Sequence, residues 1–411
     1  MKITVQSVEL KTVLALVRAV GECSTAKVAA RSVCTVEVAD NNIVNVGFAF
    51  NGSFLSYRFR EAMVEGWAEP MKRSFDLTAL ASLKFPEKLT TLTLDPTEKA
   101  IGFSSGRLRG KLLLTNGDLD DEEHCPKEDA VVLSHTFSLK DFLGGLSCHN
   151  YGVHHNPVEA AKRAVRIYTD KDRLKFVSRD SIVTSYINIE SRVVDLDHAF
   201  DVRLLPKPLK TVLSSLPDDV SPTFRIGLSK EFWHINHDTI NIWFPNIIKS
   251  SVKVEDIEDL VGQAEKKSSC RFTLPLYALE SAMKEAQPFV SDATLTSKDD
   301  TPTLKFVVTP ERVAFRIETS KAKDVEIMLD GKLEIDPGQP LTEEIGFNFK
   351  FLMEFVSAFK SLTSKKEDPS VTIQWWKYQA PDSPGKGKAA CLTMGTNRFF
   401  VLRVKSRGVN V

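Results

Sequence analysis

The sequence predicts an α+β protein of three repeated domains, each carrying two helices packed on antiparallel sheets. Three observations predict it. One local pattern, a short extended apolar run that passes at once into an amphipathic helix, opens at Ile3, Phe137 and Phe272, so its recurrences lie 134 and 135 residues apart. A fixed period of this kind marks repeated structural units. About 70 residues into each unit a second strand-to-helix segment begins, at Ser74, Val202 and Ile345. Between the helices, apolar and polar residues alternate with the period of two that a half-buried strand requires.

In the first unit the strand from Ile3 runs into a helix over 7–20, whose apolar residues form one stripe, as a helix laid on a sheet should show. Cys34–Val38 alternates as a strand, Asn41-Asn42 and Asn51-Gly52 are turn signals, and Ser74–Leu83 gives a strand and a helix over 76–84. The second unit repeats the order: Phe137–Leu146, strands at Arg166–Thr169 and Leu174–Val177 about the turn Asp170–Asp172, then Val202–Leu213. The third follows with Phe272–Met283, strands at Thr303–Val308, Val313–Ile317 and Val325–Leu329, turns at Asp330-Gly331 and Pro337-Gly338, then Ile345–Val356. Each unit should hold two helices and about eight short strands. Two acidic, polar stretches, Asp118–Asp129 and Val254–Ser269, read as linkers, which sets the domains at 1–125, 131–255 and 269–411.

The 411 residues carry 54 Lys and Arg against 54 Asp and Glu, with 42% hydrophobic and 26% charged residues. That is ordinary globular composition and excludes disorder, collagen and coiled coil. Zero net charge argues against a surface basic throughout, but leaves room for one basic face balanced by an acidic one. No stretch approaches the roughly 18 apolar residues that cross a membrane. Met1–Glu9 lacks the apolar stretch of a secretion signal. Cys23, Cys34, Cys125, Cys148, Cys270 and Cys391 are scattered singly, which points to a reducing, cytoplasmic setting.

No catalytic constellation emerges. The chain has no P-loop, no Gly-x-Gly-x-x-Gly after a strand, no Gly-x-Ser-x-Gly and no His-Glu-x-x-His. His149, His154 and His155 could in principle hold a metal, which keeps a metal hydrolase open, but adjacent histidines diverge and no carboxylate or Cys stands at ligand spacing. A solvated loop is the plainer reading. His234 and His237 fall on a strand and its turn. Trp375, Trp376 and Tyr378 alternate on a strand, where core packing outweighs a base-stacking platform. Pro381–Lys388 reads as an exposed hairpin loop.

If the units repeat, their helices are equivalent, and what the exposed faces share bears on function. They share cations. The first unit contributes Lys11, Arg18, Lys27, Arg31, Lys84 and Lys88, and the second Lys140, Lys207 and Lys210. The third contributes Lys284, Lys350, Lys360, Lys365 and Lys366. Glu9, Asp76, Asp141, Glu280, Glu285 and Glu354 are interspersed, so this is a bias and not a clean stripe.

Several motifs resemble the bacterial DNA polymerase III β sliding clamp family over nearly the whole chain. Met1–Val5 with its helix resembles the family's opening. Gly102–Leu114 followed by Asp118-Leu119-Asp120 resembles the Ser-Gly-Arg strand and acidic turn that end its first domain, and Trp243–Asn246 the Phe-Pro-Asp of its second. Glu344–Val356 resembles the Ile-Gly-Phe-Asn segment of its third and is the most specific match. The resemblance implies three clamp domains per chain and a head-to-tail homodimeric ring of six domains. Twelve helices would line a channel threaded by double-stranded DNA, with no catalysis and no cofactor. Such a processivity factor works by tethering a polymerase at high effective concentration. It needs diffuse phosphate attraction without base readout, which flexible lysines supply.

By the same resemblance, the DNA channel falls on the cations named above, and the ring interface pairs the strand Arg107–Leu114 with one near Val325–Ile335. Arg107, Leu108, Leu112, Phe289 and Val290 would contribute to it. A pocket for an apolar peptide of polymerase or clamp loader falls on Ile182, Val183, Thr184, Phe244, Pro245, Val401, Leu402 and Val404. There the chain departs from the family: Asp-Gly-His-Arg becomes Asp180–Val183, and the Met-Pro-Met-Arg-Leu ending becomes Leu402–Val411. That departure keeps open a clamp-shaped scaffold for transcription or repair factors, and with the extra length it suits a divergent, phage-encoded member.

Overall fold

The structure, a computed structural model, describes residues 1–22, 33–39, 43–50, 53–66, 71–76, 83–94, 100–113, 133–148, 165–170, 173–179, 183–189, 201–204, 206–217, 221–229, 232–245, 254–268, 270–291, 303–309, 311–317, 325–336, 343–363, 368–379 and 386–404. The chain forms two compact units, one built from Met1–Leu143 and Lys207–Ile247, the other from Gly144–Glu190, Asp201–Pro206 and Ile248–Val411.

In chain order the first unit holds β1 (Lys2–Gln6), α1 (Ser7–Glu22), β2 (Val33–Ala39), β3 (Ile43–Phe50), β4 (Ser53–Arg58), β5 (Met63–Glu65), β6 (Met71–Asp76), β7 (Leu89–Leu94), β8 (Ala100–Ser105), β9 (Leu108–Leu113) and β10 (Leu133–Ser138). The unit boundary falls within α2 (Leu139–Ser147). The second unit then has β11 (Val165–Asp170), β12 (Arg173–Arg179), β13 (Val183–Ile189) and β14 (Asp201–Leu204). The chain returns to the first unit through α3 (Pro206–Ser214), β15 (Thr223–Leu228), β16 (Phe232–His237) and β17 (Ile240–Pro245). The remainder belongs to the second unit: α4 (Val254–Lys267), β18 (Cys270–Pro275), α5 (Leu276–Ser291), β19 (Thr303–Val308), β20 (Val313–Ile317), β21 (Val325–Met328), β22 (Lys332–Ile335), β23 (Glu343–Asn348), α6 (Phe349–Ser361), β24 (Ser370–Gln379), β25 (Lys386–Met394) and β26 (Asn397–Val404).

Two sheets build each unit, ordered β5-β1-β7-β8-β9 and β10-β15-β16-β17-β4-β3-β2-β6 in the first, and β14-β11-β12-β13-β26-β25-β24-β18-β22 and β21-β20-β19-β23 in the second. One plan runs through them three times. The orders β1-β7-β8-β9, β10-β15-β16-β17 and β18-β24-β25-β26 are equivalent, as are β6-β2-β3-β4, β14-β11-β12-β13 and β23-β19-β20-β21. Local chemistry repeats with it. The first residue of α1, α2 and α5, namely Ser7, Leu139 and Leu276, donates its N–H to the carbonyl of Lys88, Pro222 and Pro369 at 2.7, 2.9 and 2.9 Å. These bonds satisfy helix-start donors that have no partner inside the helix. Each closing hairpin turns on a residue with positive φ, Gly106, Asp238 or Gly395, which tight hairpins favour.

Twice, the closing strand of one repeat pairs with the fourth strand of the repeat before it: β17 with β4 and β26 with β13. Sheets therefore cross from repeat to repeat, and the compact units number two although the plan runs three times. The core lies under the helices. Leu10, Val13, Leu16, Val17 and Val20 of α1 are buried, as are the inward residues Val46, Phe48, Leu55 and Tyr57 of β3 and β4. Each such aliphatic side chain contributes about 1.5–3 kcal/mol on burial. In the second unit Phe306 is ringed by Phe272, Phe315, Phe347 and Trp375 at centroid distances of 5.7, 5.7, 6.4 and 5.6 Å. Asn348 caps α6, its side chain accepting from the N–H groups of Lys350 and Phe351. On α2, a Cβ at Gly145 would fall 2.4 Å from the Phe176 ring, so only glycine allows this approach.

Two expectations change, and the core packing expected of Trp375 and Trp376 holds. Residues 254–267, read as a linker, form α4, an element outside the repeated plan. Its Ile257, Leu260 and Ala264 are buried against Tyr168, Val177 and Tyr186 of β11–β13 and against Trp376, Ala389, Cys391 and Phe400 of β24–β26. Most of the helix expected over 76–84 lies outside the described residues, while Leu83 and Lys84 at its end are not helical. Trp375 and Trp376 are both buried, Trp375 on Phe306 and Trp376 beneath α4, so neither offers a ring to solvent.

Candidate nucleic-acid and partner interfaces

Burial of its apolar stripe leaves α1 with an outward row of Val8, Lys11, Ala15 and Arg18, spaced three or four residues apart. Lys11 and Arg18 line a groove of about 420 Å³ together with Leu14, Ala15, Ala19, Leu83, Lys84, Thr211 and Ser215. Among the described residues the lining carries three cationic side chains and no carboxylate. Such a surface attracts an extended polyanion by charge and offers no arrangement for reading bases. Lys210 lies half-buried on α3, outside that lining. Lys84 enters the groove from an irregular segment, which the helical reading of 76–84 did not anticipate.

Behind the row, Glu9 ties α1 to its neighbours. Its Oε1 accepts from the Tyr57 hydroxyl at 3.3 Å and the Arg60 N–H at 3.1 Å, while Arg60 Nε donates to Asp238 Oδ2 at 2.8 Å. Burial, then the Glu9 charge, pushes the Tyr57 hydroxyl well above its ordinary range.

In the second unit α5 packs beside α6, and Gly144 and Cys148 reach Leu362 and the end of α6. Lys284 of α5 and Lys360 of α6 both donate to Glu280 Oε1, each at 2.7 Å. The Lys360 ammonium also stands 5.7 Å from the Tyr277 ring centroid. Hydrogen bonds from Lys284 and then Lys360 hold the Glu280 carboxyl below the usual carboxylate range. Lys350 and Lys140 are exposed.

On α6, burial pushes the half-buried Glu354 carboxyl up to about 7, against the opposing charge of Lys350. A carboxyl raised above its unfolded value binds more protons folded than unfolded, so its contribution is full at acid pH and is lost between roughly pH 4.5 and 7. Discounted for partial exposure, Glu354→Gln should raise stability by about 1 kcal/mol at pH 8 and leave it little changed at pH 4. Calorimetric melts at both pH values test this; an equal effect at the two would refute it.

The outer edges of the sheets bear on the expected ring interface. β9 is an edge of the first unit's five-stranded sheet and β21 an edge of the second unit's four-stranded sheet. β9 presents exposed Arg109 and Lys111 between half-buried Leu108 and Leu112, with Arg107 exposed in the turn before it. β21 presents Val325, Glu326 and Ile327, with Met328 52% exposed. Phe289 is 40% exposed, whereas Val290 is buried at 3% and is already committed to the chain's own core.

Of the expected peptide pocket, the structure brings together Val183 opposite Val401 and Thr184 opposite Phe400 on the β13–β26 ladder. Alternation puts Thr184 and Phe400 on the face that carries α4, and Val401 on the other. Thr184 is fully buried and its hydroxyl has no hydrogen-bond partner among the described residues. In the first unit Phe244 stacks on Trp233 at 4.4 Å, and Pro245 ends β17 opposite Phe232. Ile182, Lys27, Arg31, Lys365, Lys366, His149, His154 and His155 lie outside the described residues, as do the side chains of Val183, Lys207, Leu402 and Val404.

His234 stacks on Trp243 at 3.7 Å with Nε2 2.9 Å from Asn241 Oδ1, and His237 Nε2 lies 3.1 Å from the Ser221 carbonyl, so both serve packing. Among the described residues no three His, Cys, Asp or Glu side chains are grouped to hold a metal ion, and no helix is long and apolar enough to cross a membrane.

No family model and no curated protein matches the sequence. Solved structures do match. The chain is similar to the β subunit of DNA polymerase III from Thermotoga maritima, at a TM-score of 0.74 and 12% identity over 98% of this chain and 99% of that one. The β subunit of DNA polymerase from Streptococcus pyogenes gives 0.72 and 14% over 99% and 100%. The DNA polymerase sliding clamp from Bacillus subtilis gives 0.73 and 12% over 99% and 100%. The chain thus has the DNA clamp fold, from end to end.

Proposed function

We propose that this chain is a sliding clamp: two copies close into a ring around double-stranded DNA and tether a DNA polymerase delivered with a clamp loader. Three clamp domains, at 1–125, 131–255 and 269–411, make up each copy. One observation carries the reading. The pairing rule that joins β17 to β4 and β26 to β13 leaves one closing strand, β9, and one fourth strand, β21, at sheet edges. A second copy related by a two-fold axis supplies both missing partners, so the rule closes on itself with six repeats. Leu108 and Leu112 of β9 would then meet Val325 and Ile327 of β21.

The cationic groove of α1 and the lysines of α2, α5 and α6 would face the DNA. The mechanism is topological. Diffuse attraction to phosphates holds the duplex near the axis without fixing a register, so the ring slides. The work done is a rise in the local concentration of whatever docks on the ring. A ring with these properties needs no chemistry of its own.

The test compares retention on nicked circular DNA and on the same DNA linearised, at salt high enough to screen simple charge attraction. A clamp stays on the circle and runs off linear ends. Equal loss from both would refute encirclement. A second reading, a scaffold for transcription or repair factors, is favoured by Thr184, one of the residues expected to receive a polymerase peptide, lying buried on the sheet face that α4 covers. Stimulation of a replicative polymerase by the loaded ring would decide against it.

A further inference from the structure

We infer that Glu280 limits the grip of the α5–α6 face on DNA, by holding Lys284 and Lys360 in an internal pair that a phosphate must displace. The inference rests on the clamp reading and adds to it a control on affinity. Glu280 is the only buried carboxylate among the described residues. One of its oxygens receives both ammonium groups, from two different helices. Its side chain is 12% exposed, whereas those of Lys284 and Lys360 are 63% and 38% exposed, so the cations are within reach of solvent and the anion is not.

That arrangement is a poor device for stability. Burying a carboxylate carries a desolvation cost that a lysine partner only partly offsets, and a lysine left largely in water gains little from the pair. It is an effective device for moderating charge. The trio carries a net charge of +1 where two unpaired lysines would present +2, and a phosphate oxygen competes with Glu280 for the same protons. Lys360 has a second holding contact on the Tyr277 ring. The groove of Lys11, Arg18 and Lys84 contrasts with it, holding no carboxylate among the described residues of its lining. The α5–α6 face is thus partly neutralised from within, which suits a ring that must hold DNA and still move along it.

Glu280→Gln keeps the shape and an acceptor oxygen while removing the charge. Binding of a short DNA duplex and of inorganic tripolyphosphate would be measured for both forms across a salt series. The variant should bind each about three- to tenfold more tightly at low salt, and its log–log salt dependence for duplex should steepen by about one. Lys360→Met should cost more in the Glu280→Gln background than in the parent chain. Glu280→Asp, which keeps the charge but shortens the reach, should give a smaller gain and serves if the glutamine form folds poorly. No gain for either ligand overturns the inference with the clamp reading untouched. A gain for tripolyphosphate alone overturns it as well, and parallel retention of the parent chain on circular DNA then tells whether the channel assignment falls too.

Discussion

Lys11→Glu, Arg18→Glu and Lys84→Glu in one chain should lower affinity for duplex DNA by a hundredfold or more at moderate salt. The slope of log affinity against log salt should flatten by about three. Each cation that meets a phosphate releases about 0.9 of a condensed counterion, so three lost contacts remove nearly three from the slope, and reversed charges add repulsion. The fold should survive, because Lys11, Arg18 and Lys84 are exposed and the buried stripe of α1 is untouched. Matching thermal melts alongside fluorescence anisotropy with a labelled duplex would separate the two effects. The corresponding glutamine changes should lose about half as much in logarithmic terms. If anisotropy curves of the reversed and parent chains coincide, DNA does not pass along α1.

Leu108→Asp combined with Ile327→Asp should abolish ring closure. Light scattering should move from twice the chain mass to the chain mass, and retention on circular DNA should vanish while weak binding to short duplex remains. Strand addition across β9 and β21 would bury these half-buried side chains on one face of the new ladder, where like charges placed opposite each other are destabilising. An unpaired buried carboxylate adds a penalty of several kcal/mol at each of two interfaces. Neither position lies in a strand interior to a sheet, so the chain should stay folded. A dimer that persists in the double variant would show that the two copies join elsewhere.

The repeat was legible in the sequence because it rests on local signals. A strand that runs straight into an amphipathic helix shows itself in a dozen residues, as at Ile3, Phe137 and Phe272. The ladders joining β17 to β4 and β26 to β13 were not legible, since they pair residues such as Trp243 with Phe54 and Val401 with Val183, far apart in the chain. Hydrophobic alternation marks a strand but does not name its neighbour. Helix α4 had a signal that its acidic residues obscured: Ile257, Leu260, Val261 and Ala264 recur at helical spacing between Asp256, Glu258 and Asp259. Of the candidate sites, exposed cations such as Lys11 and Arg18 followed from the helix pattern alone. The convergence of Lys284 and Lys360 on Glu280 depends on the packing of α5 against α6, and so does the entry of Lys84 into the groove on tertiary structure. Spacing along α5 reveals only the Glu280–Lys284 half of the first, four residues apart, and nothing of the second.

The continuous ladders bear on ancestry. Because each repeat offers its closing strand to one neighbour and its fourth strand to another, a chain a single repeat long would already own both halves of a head-to-tail contact. Such a chain would assemble without further invention, and the angle between successive copies would decide whether it closed or grew into a filament. Fusing copies end to end would then fix the number in a ring by covalent linkage and free each seam to diverge. The present chain has the features such a history would leave, two internal seams of different character, one of them overlaid by a helix that the original plan has no place for.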